Sequence, residues 1–166
     1  SSSSLLSQQY KSADYSDTFT LDHITTHLNA LQLYIKMVNQ TPAWINTLLS
    51  IRNTCVRRIG LTDVGNLGGL TQQKNPSYDY QPGDTLDIFT IKDITDNEII
   101  LTLLDSHLDI NLSLLKTEHQ HDFSIDISTI VNYHNMLGKT YMTIIKPFHK
   151  VVIRQLLKKL RQSLAA

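Results

Sequence analysis

The sequence predicts an α+β fold in which a curved antiparallel sheet packs on a long C-terminal helix, with two more helices near the N-terminus. Strand-like runs joined by short polar turns fill much of the second half of the chain, which is typical of antiparallel neighbours. In the final stretch, apolar residues recur at gaps of three and four, the period of a helix. These positions are Tyr141, Ile145, Phe148, Val152, Leu156 and Leu160.

The N-terminal elements follow from composition and alternation. Residues 1–13 are polar and rich in Ser and Gln, so we expect a mobile segment there and one domain over residues 14–166. Residues 15–21 alternate apolar and polar side chains, which predicts a short strand. Asp22 is expected to cap a first amphipathic helix, which ends near Gln40.

A second helix is predicted to start at Thr41–Pro42, with Thr as the cap and Pro at the first helical position. Gly60 is expected to end it. Arg52 lies on its apolar stripe. Arg52 therefore either extends past the core to water or pairs inside the fold with Asp105 or Asp109.

Residues 61–82 contain repeated Gly and Pro and are expected to be mostly loop. Four strand-like segments follow at residues 86–94, 98–104, 108–115 and 123–133. One face of the resulting sheet is apolar, and the helices are the elements available to cover it.

Pro147 interrupts the C-terminal helical pattern. It removes one backbone hydrogen bond, so the helix either bends there or divides into two helices. Both alternatives leave a space between helix and sheet beside Phe148 and His149. An apolar space of this kind suits a small ligand.

Composition limits the functional classes. The 166 residues carry 15 basic and 15 acidic side chains, which makes no electrostatic case for nucleic acid. Six basic residues between Lys146 and Arg161 either attract the acidic sheet or form a face for an anionic membrane or polymer.

The single cysteine, Cys55, is expected to be a buried inert thiol in a cytoplasmic, reducing compartment. Neither a membrane span nor a signal peptide is predicted.

The candidate site lies around the joint between the last strand and the last helix. The alternative role of His134 and Asn135 is to hold that joint by hydrogen bonds to the backbone. His23 and His27 have the helical spacing of two metal ligands but lack a third, so no metal or cofactor is predicted. The predicted ligand-binding residues are Arg52, Asp109, Tyr133, His134, Tyr141 and His149.

Several short segments beyond Tyr15 form a recognisable set, and the set covers most of that part of the chain. They are Pro42-Ala43-Trp44, Leu48-Leu49, Arg52-Asn53, Gly60-Leu61, Asp105, His107-Leu108-Asp109, His134-Asn135, Leu137-Gly138, Tyr141, Pro147-Phe148-His149 and Arg154. This set resembles the bacterial domain-of-unknown-function family 2867, a resemblance that implies no activity. The sequence departs from that family at Leu104, where a Gly is usual. The element order also resembles the helix-grip fold of START-like and polyketide-cyclase-like proteins, which implies an enclosed apolar ligand.

Three functions remain open at this point. The first is the binding of a small apolar or amphipathic ligand between the sheet and the C-terminal helix. The second is an enzyme in the same cavity, with His134 or His149 as acid or base beside a carboxylate. The third is an interaction module whose basic C-terminal helix docks on an acidic partner. Oligomeric state is not predicted.

Overall fold

The structure is a computed structural model that describes residues 4–58, 79–86 and 88–165. It confirms the predicted fold class, because a long C-terminal helix and shorter N-terminal helices accompany an open six-stranded antiparallel sheet. The elements are α1 (Ser7–Tyr10), β1 (Tyr15–Ile24), α2 (Ala30–Asn39), α3 (Ala43–Arg57), β2 (Thr85–Leu86), β3 (Phe89–Ile94), β4 (Glu98–Leu104), β5 (Leu108–Glu118), β6 (Phe123–Tyr133) and α4 (Met136–Ala165).

The strands lie in the order β1-β6-β5-β4-β3-β2, so β2 to β6 form a meander and β1 joins its far edge beside β6. The register places Asp17 of β1 opposite Thr129 of β6, and Thr129 opposite Leu112 of β5. These three side chains therefore share one face of the sheet, the face that α4 covers. The run predicted over residues 86–94 divides into β2 and β3.

The first long helix begins later than the predicted cap at Asp22. Residues up to Ile24 belong to β1, and a register shift between Leu21 and Ile24 accompanies a positive φ of 58° at His23. The true cap is Asn29, whose side chain accepts the Gln32 N–H at 2.9 Å while Gln32 Oε1 accepts the Asn29 N–H at 3.0 Å. This reciprocal capping box satisfies two backbone N–H groups, whereas Thr25, three residues after Asp22, has no side chain able to complete such a box.

The second helix, α3, starts at Ala43, one residue later than the Thr-Pro pair predicts. Its predicted end at Gly60 and most of the predicted loop lie outside the described residues. Cys55 is exposed, contrary to the expectation of a buried thiol. It lies three and seven residues from Arg52 and Leu48, which are only half-buried, so this side of α3 borders solvent.

The C-terminal helix is one continuous element of 30 residues with Pro147 inside it, so the division into two helices does not occur. Asn135 caps its start by accepting the Gly138 N–H at 3.0 Å. Gly138 fits because a Cβ there would come within 2.1 Å of the His107 carbonyl oxygen. The helix start therefore rests directly on the turn between β4 and β5.

The main core lies between this covered face and the helices. From α2 it includes Leu33 and Tyr34, and from the sheet Leu101 and Ile127. At the C-terminal end of α4, Ile153, Leu156, Leu157 and Leu160 complete it.

A smaller cluster lies on the opposite face, where Leu6 packs on Ile100 and Ile130. Buried Glu98 accepts hydrogen bonds there from the Ser4 and Ser113 hydroxyls, both at 2.5 Å. The mobility predicted for residues 1–13 stays a prediction, since contacts alone do not measure motion. The predicted domain range, residues 14–166, also stays a prediction. None of the helices in the described ranges combines the length and apolar character needed to cross a bilayer.

Candidate functional site

The middle of α4 holds a histidine over the sheet. His149 Nε2 lies 3.4 Å from Asp17 Oδ2 and 3.2 Å from Thr129 Oγ1. The His149 and Asp17 side chains are only 20% and 11% exposed. Because the register of β1 on β6 aligns Asp17 with Thr129, one imidazole reaches both strands. The contact between His149 and Asp17 therefore attaches the least buried part of α4 to the sheet.

Tyr15 completes this group, which we call the Asp17 cluster (Tyr15, Asp17, Thr129 and His149). The Tyr15 hydroxyl donates to Asp17 Oδ2 at 2.5 Å. The Lys146 ammonium lies 5.2 Å from the centre of the Tyr15 ring, within the range of a cation–π contact. Asp17 Oδ1 is buried and makes no hydrogen bond within the described part of the chain.

The cluster changes how its acids titrate. Burial by itself raises the pKa of Asp17, but hydrogen bonds from His149 and Tyr15 and the charge of His149 outweigh it, so the pKa falls below its ordinary value. Burial, with the hydrogen bond to Asp17, raises the pKa of Tyr15 well above its ordinary value. At neutral pH, Asp17 is therefore a carboxylate and Tyr15 keeps its proton.

Arg52 and Tyr141 meet where α3 approaches the N-terminal half of α4. Arg52 Nε donates to the Tyr141 hydroxyl at 2.7 Å, and its guanidinium carbon lies 5.2 Å from the centre of that ring. Arg52 also donates to the Asn53 side chain at 2.8 Å. Two of the six predicted residues are thus in direct contact.

His134 and Asp109 form a second pair, with Nε2 and Oδ1 2.9 Å apart and side chains 43% and 29% exposed. Asp109, one of two predicted partners for Arg52, therefore pairs with a histidine instead. The His134 N–H donates to the His107 carbonyl at 2.9 Å, and the Asn135 amide lies 2.9 Å from His107 Nδ1. The alternative offered by the sequence, a side-chain bond to the backbone at this joint, is present for Asn135 at the Gly138 N–H, whereas the His134 side chain pairs with Asp109.

Tyr133 lies at the end of β6 and packs beside Tyr15, Val131 and Met142. Its N–H donates to Asp14 Oδ2 at 2.7 Å. Burial, and then the charge of Asp14, raise the pKa of the Tyr133 hydroxyl. Tyr133 thus belongs to the packing around the helix start.

The structure divides the predicted site residues among separate positions. Arg52 with Tyr141, and Asp109 with His134, form two pairs. His149 instead contacts Asp17 and Thr129, which the sequence interpretation did not select. Asp17 lies on the same face of β1 as Tyr15, Phe19 and Leu21. A carboxylate on an otherwise apolar strand face was the available signal for it.

Apolar surface remains accessible on the covered face of the sheet. Leu103, Ile110 and Leu112 belong to the interior strands β4 and β5, yet each is only half-buried. Between Met142 and Ile153, a stretch of α4 that is described throughout, no side chain is buried. This stretch of α4, which contacts β1 and β6 through His149, therefore leaves apolar surface of β4 and β5 accessible beside it.

The remaining histidines lie far from this region. His23 is on β1 and His27 in the following loop, so the helical spacing expected of them is wrong. His23 Nδ1 pairs with Asp122 Oδ2 at 2.7 Å on the surface. An open depression at the β5–β6 turn is lined by residues 118–122. Across the described ranges, no three His, Cys, Asp or Glu side chains are arranged to hold a metal ion.

Comparison with known proteins identifies the family. No curated protein matches the sequence. A family model described as "Protein of unknown function (DUF2867)" matches residues 9–156, which include every element from β1 to β6 and most of α4. Since that match spans most of the 166 residues, the chain belongs to the DUF2867 family.

Proposed function

We propose that this protein binds a small amphipathic ligand in a groove between α3, α4 and the sheet. The main support for this proposal is the partial exposure of Leu103, Ile110 and Leu112. Side chains on the covered face of interior strands normally lose contact with water, because that burial drives folding. Apolar surface left accessible there is available to an apolar ligand.

The walls of the groove come from facing sides of two helices. On α4, Tyr141 and Phe148 are seven residues apart and share a face. On α3, Leu48 and Arg52 are four apart and do the same. Because Arg52 and Tyr141 are in contact, these two faces point toward each other. Both carry exposed apolar side chains, Phe148 at 51% and, one turn along α3, Ile51 at 57%.

Polar groups border this apolar surface. The positive charge of Arg52 lies beside Tyr141 at one end, and the Asp17 cluster lies next to Leu112 through Thr129. A few polar groups around an apolar floor fix the orientation of a ligand in many small-molecule sites. The chemistry favours a ligand with an apolar body and an anionic or hydrogen-bonding head.

The test uses anilinonaphthalene sulfonate, an amphipathic anion whose fluorescence rises in apolar surroundings. Leu112→Trp fills the floor, and Phe148→Gln removes an apolar wall without touching the buried core. We expect each variant to weaken binding of this probe by about tenfold, equivalent to about 1.4 kcal/mol. Fluorescence titration measures the affinity.

Leu104 supplies the matched control, because it is 71% exposed and alternates to the opposite face from Leu103. Leu104→Trp and Leu104→Gln should leave the affinity unchanged. Cooperative thermal unfolding of every variant rules out probe binding to a partly unfolded state. Equal losses in the Leu104 and Phe148 variants, or no binding to the wild type, would overturn the proposal.

A further inference from the structure

His149 has one nitrogen engaged with the sheet and one open to solvent. A carboxylate only accepts hydrogen bonds, so Nε2 must carry the proton in order to bond to Asp17. In the neutral ring, Nδ1 is then the atom with the lone pair. Within the described residues Nδ1 has no hydrogen-bond partner. It is not a buried atom either, so it contacts solvent.

The Asp17 cluster exceeds what is needed to attach a helix to a sheet. Apolar residues of α4 such as Ile153 and Leu156, which belong to the main core, perform that task farther along the helix. Burying a carboxylate carries a desolvation penalty that an apolar contact avoids. Here one carboxylate oxygen is also left buried without a hydrogen bond. The arrangement favours the Nε2–H tautomer of His149 and holds its ring beside the accessible floor of the sheet.

We propose that His149 is a general base, and that its Nδ1 removes a proton from a C–H bond of an amphipathic carbonyl or heterocyclic substrate in the groove. Asp17 is a positioning residue that holds the Nε2–H tautomer and stabilises the imidazolium formed. The ammonium of Lys146, three residues earlier, favours the negative charge that develops on the substrate. This inference rests on the proposed function, because the groove must admit the substrate.

A nitrobenzisoxazole tests the proton transfer without a cofactor. His149 Nδ1 takes the ring C–H proton, and the C–H electron pair becomes the third bond of a nitrile. The N–O bond breaks, its electron pair stays on oxygen as a coloured phenolate, and the imidazolium releases its proton to water. The apolar probe also suits the groove, so the rate of phenolate release reports an accessible base.

The protein contains its own control, since His134 and Asp109 form a second histidine–carboxylate pair away from the groove floor. We expect His149→Gln to lower the second-order rate constant by about a hundredfold, the lower range of general-base contributions. His134→Gln should leave it unchanged. Asp17→Asn should lower the rate while His149 remains, because an amide lets the ring adopt the other tautomer.

The pH profile separates chemistry from packing. His149 contacts Asp17 from β1 and the neutral Thr129 from β6. The charged and titratable groups around this contact are Tyr15, which donates to Asp17, and Lys146 and Arg154 of α4, which lie over the Tyr15 and Phe19 rings. The wild-type rate should rise with pH, because a general base accepts a proton only in its unprotonated form. In His149→Gln this rise should disappear. A purely structural role would leave the shape of the profile intact.

The outcomes distinguish this inference from the proposed function. Binding of anilinonaphthalene sulfonate by the wild type tests the groove, and phenolate release by the wild type and by His149→Gln tests the base. If the wild type binds that probe but releases no phenolate, or if His149→Gln retains the wild-type rate and profile, the general-base assignment fails alone. If the wild type does not bind the probe, the groove itself fails. Equal rate losses in the His134 and His149 variants would also overturn the assignment.

Discussion

Asp17 shows how strongly a single side chain depends on partners from other elements. Tyr15 lies two residues away on the same strand, whereas Thr129 and His149 come from β6 and α4. Hydrogen bonds and charge from these partners reverse the effect of burial on the Asp17 pKa. The ionised carboxylate is therefore a stabilising group of the folded state, in a position where an isolated one would be destabilising.

Replacing Asp17 by Asn should change how stability depends on pH. The folded-state pKa of Asp17 is lowered from 3.8, so its contribution is fully present above the unfolded value and is lost as pH falls through the folded one. We expect Asp17→Asn to lower the free energy of unfolding by about 1–3 kcal/mol at neutral pH. The difference from the wild type should shrink below pH 3.8, as measured by urea unfolding.

Asp22 is the control for this experiment, because it lies on the same strand with an exposed side chain. Asp22→Asn should follow the wild-type curve at every pH. A difference between Asp17→Asn and wild type that stays constant with pH would contradict a charged, hydrogen-bonded Asp17.

At the scale of elements, the joint between β6 and α4 explains two sequence features together. Asn135 caps the helix through the Gly138 N–H, and Gly138 lets the first turn approach the His107 carbonyl. The sequence alone indicated a joint at His134–Asn135. It did not indicate that Gly138 approaches the His107 carbonyl, because His107 lies in the turn between β4 and β5, far from Gly138 along the chain.

Gly138→Ala should destabilise the protein although alanine favours helices. The added Cβ would be 2.1 Å from the His107 oxygen and 2.9 Å from its carbonyl carbon, so the backbone must shift. We expect a loss of about 1–3 kcal/mol, typical of overpacking, against a gain of about 1 kcal/mol in helix propensity. Thermal unfolding measures the net decrease. Lys139→Ala, at the next and exposed position, should be close to neutral. Equal stability of the two variants would show that the backbone at the joint shifts at little cost in free energy, and would contradict this prediction.

At the scale of the whole molecule, both faces of the sheet have other elements packed on them. Helices cover one face, and the N-terminal segment covers part of the other through Leu6 and the bonds to Glu98. The sequence interpretation assigned residues 1–13 to a mobile segment because their polar composition resembles that of chain termini. Composition does not reveal Leu6 as a core residue, since it has the same type of neighbours as exposed Leu5.

Adjacent leucines test the importance of this second layer. Leu6 is 2% exposed and Leu5 is 55% exposed. Leu6→Ala should lower the free energy of unfolding by about 2 kcal/mol, the lower end for a buried leucine, and Leu5→Ala should change it by less than about 0.5 kcal/mol. Chemical denaturation measures both. Equal, negligible effects would support the predicted mobility, and hydrogen exchange of residues 4–10 measures that motion directly.

The sequence by itself determined the type and order of the longer helices and strands, because each imposes a period that shows in the local spacing of apolar residues. It did not indicate α1 or the extension of β1 to Ile24. It also indicated Arg52, Tyr141 and His149 as polar groups on apolar surfaces. Only the tertiary structure decided which of them meet. His149 finds Asp17 because β1 pairs with β6 in one register and α4 runs back across both strands. That outcome depends on contacts between residues far apart in the chain, and local patterns carry no record of those contacts.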